Sequence, residues 1–210
     1  MAVMGRPRGF DRDKAIDEAL DLFWQNGFEA TSLSQLKAAI GGGISAPSFY
    51  AAFGSKEALF QECARRYLDT YARVTECLWD EALAPREAVE TALRRSAKMQ
   101  YERHHPKGCM VGLGVMSAPS EEHASVSDAL TRSRSRTRAG FAACAQRGID
   151  AGELAADTHP RALAAVFDAF LLGVSVLARD GVGLSVVEGG ITQVMAAWDA
   201  ASIRSKRRAR

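Results

Sequence analysis

Strand signals are scarce in this chain, and helical periodicity is nearly continuous, broken only where glycine or proline intervenes. The breaks fall at Gly27, Gly41 to Gly43, Gly54, Pro85, Pro106, Pro119, Gly148, Pro160 and Gly181 to Gly183. Between them, apolar residues recur at steps of three and four, which gives each segment one face to bury. An all-α fold is expected. With 210 residues the chain can bury a sizeable core, in one domain or two small ones.

Three short helices come first. Helix one is expected over about Arg12 to Gln25, with Asp11 as N-cap and a stripe of Ala15, Ile16, Ala19, Leu20, Leu22 and Phe23. Asn26-Gly27 should stop it, because glycine tolerates the left-handed conformation past a helix end. Ser32 and Gln35 read as a capping box for a second helix, Leu33 to Ile40, that ends in Gly41-Gly42-Gly43. Ser45 should cap a third, Ala46 to Phe53, with Pro47 in the first turn, where a missing N–H costs little. A long helix is expected from Ser55, with Phe60, Cys63, Tyr67, Tyr71, Val74 and Leu78 on one stripe. Further helices are expected over Arg86–Arg103, Glu121–Ala151, His159–Asp180 and Ser185–Ser202. The stripe of the His159 helix (Leu163, Val166, Phe167, Phe170, Leu171, Val174, Leu177) is too wide for a surface helix. With Ile191, Val194, Met195 and Trp198 of the last helix, it suggests a partner surface as well as a core.

Charge does not announce a partner. The formal net charge is +2, and the last seven residues alone carry five Lys or Arg, so the remaining body is about −3. Residues 1 to 60 hold six basic and seven acidic side chains, net −1. Four cysteines spaced by 14, 32 and 35 residues, with no CxxC, fit neither a disulfide framework nor a structural zinc site; a reducing cytoplasm is expected. Met1 to Phe10 has no apolar leader region, and the longest uncharged apolar stretch, Ala169 to Ala178, is too short to cross a bilayer, so no membrane partner is expected.

Two short helices joined by a glycine turn are a helix-turn-helix candidate. The residues Ala19-Leu20-x-Leu22-Phe23-x-x-x-Gly27-Phe28-x-x-Thr31-Ser32 and Ile44-Ser45-x-x-Ser48-Phe49-Tyr50-x-x-Phe53-x-Ser55-Lys56-Glu57-x-Leu59 make the resemblance specific. Over residues 10 to 60 the chain resembles the N-terminal domain of TetR-family transcriptional regulators. The Gly41 to Ile44 turn looks about two residues longer than the family's usual one, which puts the recognition helix's angle in question. The resemblance implies a helix-turn-helix DNA-binding domain (1–54) and an all-α ligand-binding and dimerisation domain (55–203), which the basic tail (204–210) follows. It also implies a homodimer on a double-stranded, near-palindromic operator, most simply as a repressor released by a small-molecule effector of apolar character.

Residue chemistry suits that reading. Ser32 and Ser45 sit at helix N-termini, where free N–H groups suit phosphate. Pro47, Ser48, Ala51 and Ala52 should form the exposed side of the third helix, small enough for its backbone to lie deep in a major groove. Tyr50 and Lys56, by resemblance, reach the flanking phosphates, and a flexible arm could put Arg6 and Arg8 into a minor groove or onto phosphate. Candidate effector contacts are Met99, Tyr101, Met110, Met116, Phe141 and Phe167, each of which core packing would equally explain.

Other chemistry is thin. His104-His105 lie near Cys109, but neighbours on a helix point apart, so no metal is expected; no cofactor is implied. Cys109 reads as a buried structural thiol, or as a redox or electrophile sensor if Lys107 or a helix N-terminus lowers its pKa. Arg132, Arg134, Arg136 and Arg138 read as a solvated surface, and the location of Asp168 stays open. No nucleophile elbow, phosphate loop or dinucleotide fingerprint occurs, so no enzyme is expected. The alternative function is a helical small-molecule-binding protein without DNA activity.

Overall fold

The computed structural model describes residues 11–114 and 120–202. Arg6, Arg8, Met116 and the basic tail lie outside them. Among the described residues the only β pairing is an isolated bridge between Leu154 and Ser202, and nine α-helices carry the fold.

The head uses α1 (Arg12–Ala30), α2 (Leu33–Ala39) and α3 (Ala46–Phe53). The Asp11 carboxylate accepts from the backbone N–H of Asp13 and Lys14, satisfying donors that the helix itself leaves open. Gly27 breaks α1 with φ 80°, and one further turn then carries Phe28 into the core. The body follows as α4 (Lys56–Asp69), α5 (Pro85–Gln100), α6 (Met110–Leu113), α7 (Asp128–Asp150), α8 (Pro160–Arg179) and α9 (Leu184–Ala201).

The single long helix expected from Ser55 is broken. It ends at Asp69, where Thr70 leaves helical geometry (φ −119°, ψ −83°) and its hydroxyl donates to the Arg66 carbonyl at 2.6 Å. A 3₁₀ run, Tyr71–Trp79, continues from there. Leu78 is buried, while Tyr71 and Val74 are only partly covered. The helix expected to start at Glu121 likewise opens as a 3₁₀ run to Ser127 before α7 begins. The helix expected to Arg103 ends at Gln100.

Two apolar cores result. One joins α1, α2 and α3 to Leu59, Phe60, Cys63, Ala64 and Tyr67 of α4, and reaches Met99, Met110, Val126 and Leu130. The head therefore packs on the body through α4 rather than hanging from a linker. The other collects Leu93, Phe141, Phe167, Ile191, Met195 and Trp198. Trp198 belongs to this internal core at 2% exposure, not to an outer face. It packs against Gly148, where an added Cβ would lie 2.8 Å from the indole. α8 is the one described helix long and apolar enough to cross a membrane by composition. It is packed among α5, α7 and α9, and its buried Asp168 carboxylate accepts from Arg138 Nε at 2.7 Å.

Arg132, Arg136 and Arg138 of α7 are exposed, as expected of a solvated surface, and Arg134 is half-buried. Besides the pair of Arg138 with Asp168, Arg134 donates to the Val111 carbonyl at 2.8 Å, and Arg136 donates to Glu76 while lying 4.8 Å from the centre of the Trp79 ring.

Candidate nucleic-acid interface

α3 begins where Ser45 Oγ accepts from Ser48 N at 3.2 Å, with the two hydroxyls 2.9 Å apart. It stops at Gly54, whose φ of 75° a side chain would resist. Phe49 and Phe53 are buried, which fixes the helix's rotation. Ser45, Pro47, Ser48, Tyr50 and Ala51 are consequently exposed, Tyr50 by 51%. Ala52, expected beside them, is partly buried against the head core. α3 carries no acidic or basic side chain, so its outer face offers hydroxyls, small apolar groups and one phenol.

The turn into α3 depends on three successive glycines with positive φ: 58°, 75° and 116° at Gly41, Gly42 and Gly43. Gly41 N donates to Glu18 of α1 at 2.8 Å, and Ile44 N donates to the Lys37 carbonyl at 2.9 Å. The long turn is thus tied at both ends. At the start of α2, Ser32 Oγ accepts from Gln35 N and Ser32 N donates to Gln35 Oε1, closing the capping box. Ser32 remains exposed.

Lys56 opens α4, with its ammonium 4.3 Å from the centre of the Phe28 ring. That contact places the cation over the head core and limits its wandering.

The net negative charge of the head has an account in this geometry. Asp13 and Asp17 both receive Arg66, Glu18 receives Gly41 and lies near Lys14, and Glu62 receives Arg12. Asp13, Asp17 and Glu18 are thus spent holding α1 to α4 and to the turn, while α3 carries no acid.

Two cavities among the described residues hold expected effector contacts. The larger of these two, about 320 Å³, lies between head and body; Phe23, Trp24 and Phe28 of α1, Phe60, Met110 and Arg179 are among its walls. The smaller, about 40 Å³, is lined by Met99, Ser96, Gln100, Cys109, Leu171 and Ser175 among others. In its wall, Ser175 Oγ donates to Gln100 Oε1 at 2.8 Å, and Gln100 Nε2 donates to Ser96 at 3.1 Å. Of the expected effector contacts, Met110 lines the larger cavity and Met99 the smaller. Phe141 and Phe167 pack on each other in the second core, and Tyr101 packs beneath Lys107; none of these three lines either cavity.

Cys109 receives the Tyr67 hydroxyl on its sulfur at 3.2 Å, and burial pushes the thiol's pKa up. Lys107 is spent on the Tyr101 and Glu102 carbonyls and does not activate it. The thiol is therefore held protonated rather than poised as a nucleophile.

Arg179, at the end of α8, was not singled out by its sequence context. Its guanidinium donates to the Trp24 carbonyl at 2.7 Å, the Gln25 carbonyl at 2.9 Å and the Lys107 carbonyl at 3.3 Å. It caps the open carbonyls of α1 just before the Gly27 break. One body side chain thus ties the head to the α5–α6 connection. No local pattern predicts a contact 155 residues apart.

Residues 15–63 match the family model of bacterial regulatory proteins of the tetR family, and residues 86–179 match a tetracyclin-repressor-like C-terminal domain. The chain is 33% identical to the HTH-type transcriptional repressor ComR of Escherichia coli (strain K12) over 183 residues, 86% of this chain and 85% of that protein. It is 36% identical over 115 residues to the repressor BdcR of the same strain, covering 55% of this chain and 57% of BdcR. A cysteine-substituted form of the TetR-family regulator CifR, solved in complex with a 26-base-pair operator duplex, superposes with a TM-score of 0.81 at 38% identity. That match covers 92% of this chain and all of the CifR chain. The chain belongs to the TetR family of bacterial regulatory proteins and is a DNA-binding transcriptional regulator, not an enzyme.

Proposed function

We propose that this regulator is a homodimeric cytoplasmic repressor that grips a near-palindromic operator through α3 and lets go when a small, mainly apolar molecule binds the body. The observation that carries the reading is the outer face of α3, which is exposed, small and free of carboxylate. Pro47 and Ala51 are suited to thymine methyls, and Ser48 to a base edge or phosphate. Tyr50, Lys56 and the capped starts at Ser32 and Ser45 take the phosphates on either side.

Dimerisation is supported by apolar surface that one chain leaves uncovered on α8 and α9. Val166, Leu177 and Val186 are 37–64% exposed. Phe170 closes over Gly190, bringing the two helices together into one face. A twofold partner on this face presents two identical heads, hence a near-palindromic site.

The cavity beside Met110 is the better home for an apolar effector: its 320 Å³ suits a small ligand, the 40 Å³ of its neighbour admits little more than water, and the wider clefts along Arg86 to Glu153 and Arg65 to Arg136 are walled by several charged side chains. Met110, Leu113 and the aromatic rings of α1 and α4 would meet its apolar part. A ligand here bears on α1 and on Arg179 together, and so acts on the tie between head and body. Such a ligand favours one head spacing over another by the difference in its affinity for the two.

The test is operator binding by wild type and by the double variant Tyr50→Ala, Lys56→Ala. Loss of binding with an unchanged melting temperature is expected. Equal binding would favour the alternative of a small-molecule-binding protein without DNA function.

A further inference from the structure

The adjacent histidines converge. On a helix, His104 and His105 would point apart. α5 ends at Gln100, and the chain bends through residues 103–105 instead. Glu102 N donates to the Met99 carbonyl at 3.1 Å, and Gly108 N donates to the Gln100 carbonyl at 3.1 Å, closing the segment into a loop. Lys107 Nζ, donating to the Tyr101 and Glu102 carbonyls, braces it from inside.

Within this loop, His105 is locked. Its side chain is 0% exposed, its ring stacks on Trp24 at 4.4 Å and 18°, and Tyr71 meets it edge-on at 4.9 Å. Its Nδ1 lies 2.9 Å from the Pro106 carbonyl. A carbonyl only accepts, so Nδ1 carries a proton, and Nε2 is the ring atom left to hold a metal. A main-chain oxygen on the far nitrogen is the arrangement that orients metal-binding histidines. Nε2 itself is buried without a hydrogen-bond partner.

What faces that nitrogen is a carboxylate. Glu102 Oε2 lies 3.6 Å from His105 Nε2 and 3.4 Å from His104 Nε2. The ligating atoms of the three residues all lie within 4.8 Å of one another. Metal–ligand bonds of 2.0–2.1 Å at tetrahedral angles put neighbouring ligand atoms about 3.3 Å apart. The two distances to Glu102 are close to that edge, and the exposed His104 ring can turn to close the third. Asp21 of α1 lies within electrostatic reach of both imidazoles and adds negative charge on the head side.

We propose that Glu102, His104 and His105 form a binding site for a divalent transition-metal ion, held by the two imidazole Nε2 atoms and Glu102 Oε2 with a fourth position open to water. Two imidazoles and a carboxylate suit zinc, nickel or copper rather than magnesium or calcium, which prefer all-oxygen shells. The ion would sit where His105 stacks on α1 and where Arg179 ties α1 to the Lys107 carbonyl. Its occupancy therefore bears on how the head is held; that consequence rests on the regulatory reading above, and the site itself does not.

The experiment titrates zinc chloride into tag-free, metal-stripped full-length protein by calorimetry, without DNA. One ion per chain with micromolar or tighter affinity is expected, and no heat from magnesium. His104→Ala removes an exposed ring and leaves the Trp24 stack alone, and Glu102→Gln replaces the shared carboxylate by a neutral, weakly ligating amide. Each should weaken zinc binding about tenfold or more, the scale on which even outer partners of metal ligands act. No binding below millimolar zinc would overturn the site and leave a simple histidine–carboxylate pair. Wild-type affinity in both variants would also overturn it, placing the ion elsewhere. In a second arm, zinc should change operator affinity about fivefold or more in wild type and not in His104→Ala. Unchanged operator affinity in a zinc-binding wild type would overturn the coupling to DNA.

Discussion

Ala51→Glu separates reading DNA from folding. Ala51 is exposed in the last turn of α3, and the inward side of that helix is filled by Phe49 and Phe53. Replacing alanine by glutamate there costs a few tenths of a kcal/mol in helix propensity. An acid near a helix C-terminus adds about 0.3–1 kcal/mol. The sum, about 0.5–1.4 kcal/mol, shifts the melting temperature by about 1–6 °C in a chain of this size. On DNA the same carboxylate meets phosphates. Two like charges about 5 Å apart repel by about 1 kcal/mol in water and about 3 kcal/mol at a partly desolvated surface. A dimer suffers this twice, so the loss is about 2–6 kcal/mol, or about 30-fold weaker binding at the least. Fluorescence anisotropy on labelled operator, beside thermal melting, measures both. The deficit should shrink as salt screens the phosphates. Unchanged binding would show that α3 is not the reading element. A collapse of melting along with binding would show that Ala51 is buried.

Two further outcomes follow from the ties between elements. Arg179→Ala removes three charge-assisted hydrogen bonds from a partly exposed guanidinium and should cost about 2 kcal/mol after allowance for solvent, a fall in melting temperature of about 4–8 °C; a shift under a degree would deny the latch. The Glu90 carboxyl is held below the ordinary value of 4.5 first by Arg94 and then by Arg86. The stability this gives is present above 4.5 and is lost as pH falls through the lower folded value. Glu90→Gln should therefore lower stability by up to about 1 kcal/mol near neutrality and match wild type well below 4.5, so a gap that persists in acid would contradict the assignment.

The head was legible because its signals are local. Ser45, Pro47 and Gly54 bound α3 at the residues the sequence indicates, and Ser32 with Gln35 marks α2 the same way. Gly27 punctuates α1, but a single glycine breaks the helix without ending its packing, so Phe28 continues into the core. The body was legible only in outline. Thr70 interrupts a stripe that looks continuous by spacing, because a hydroxyl bond to the preceding turn competes with the helix. Trp198 and Phe170 share an apolar helix pair, yet Gly148 makes room for the indole inside while Phe170 closes over Gly190. Periodicity cannot distinguish these fates, since both depend on a glycine elsewhere in the chain. The convergence of Glu102, His104 and His105 was hidden for a related reason: it needs the helix to end at Gln100, and no glycine or proline marks that point.

Protection footprinting on the DNA beside the protein's own gene tests the central claim most directly. Wild-type protein should protect one near-palindromic stretch with both half-sites covered, and protection should fall steeply as salt rises, because phosphate contacts release counterions. No protection at any salt, or protection of one half-site alone, would contradict a dimer that reads its operator through α3.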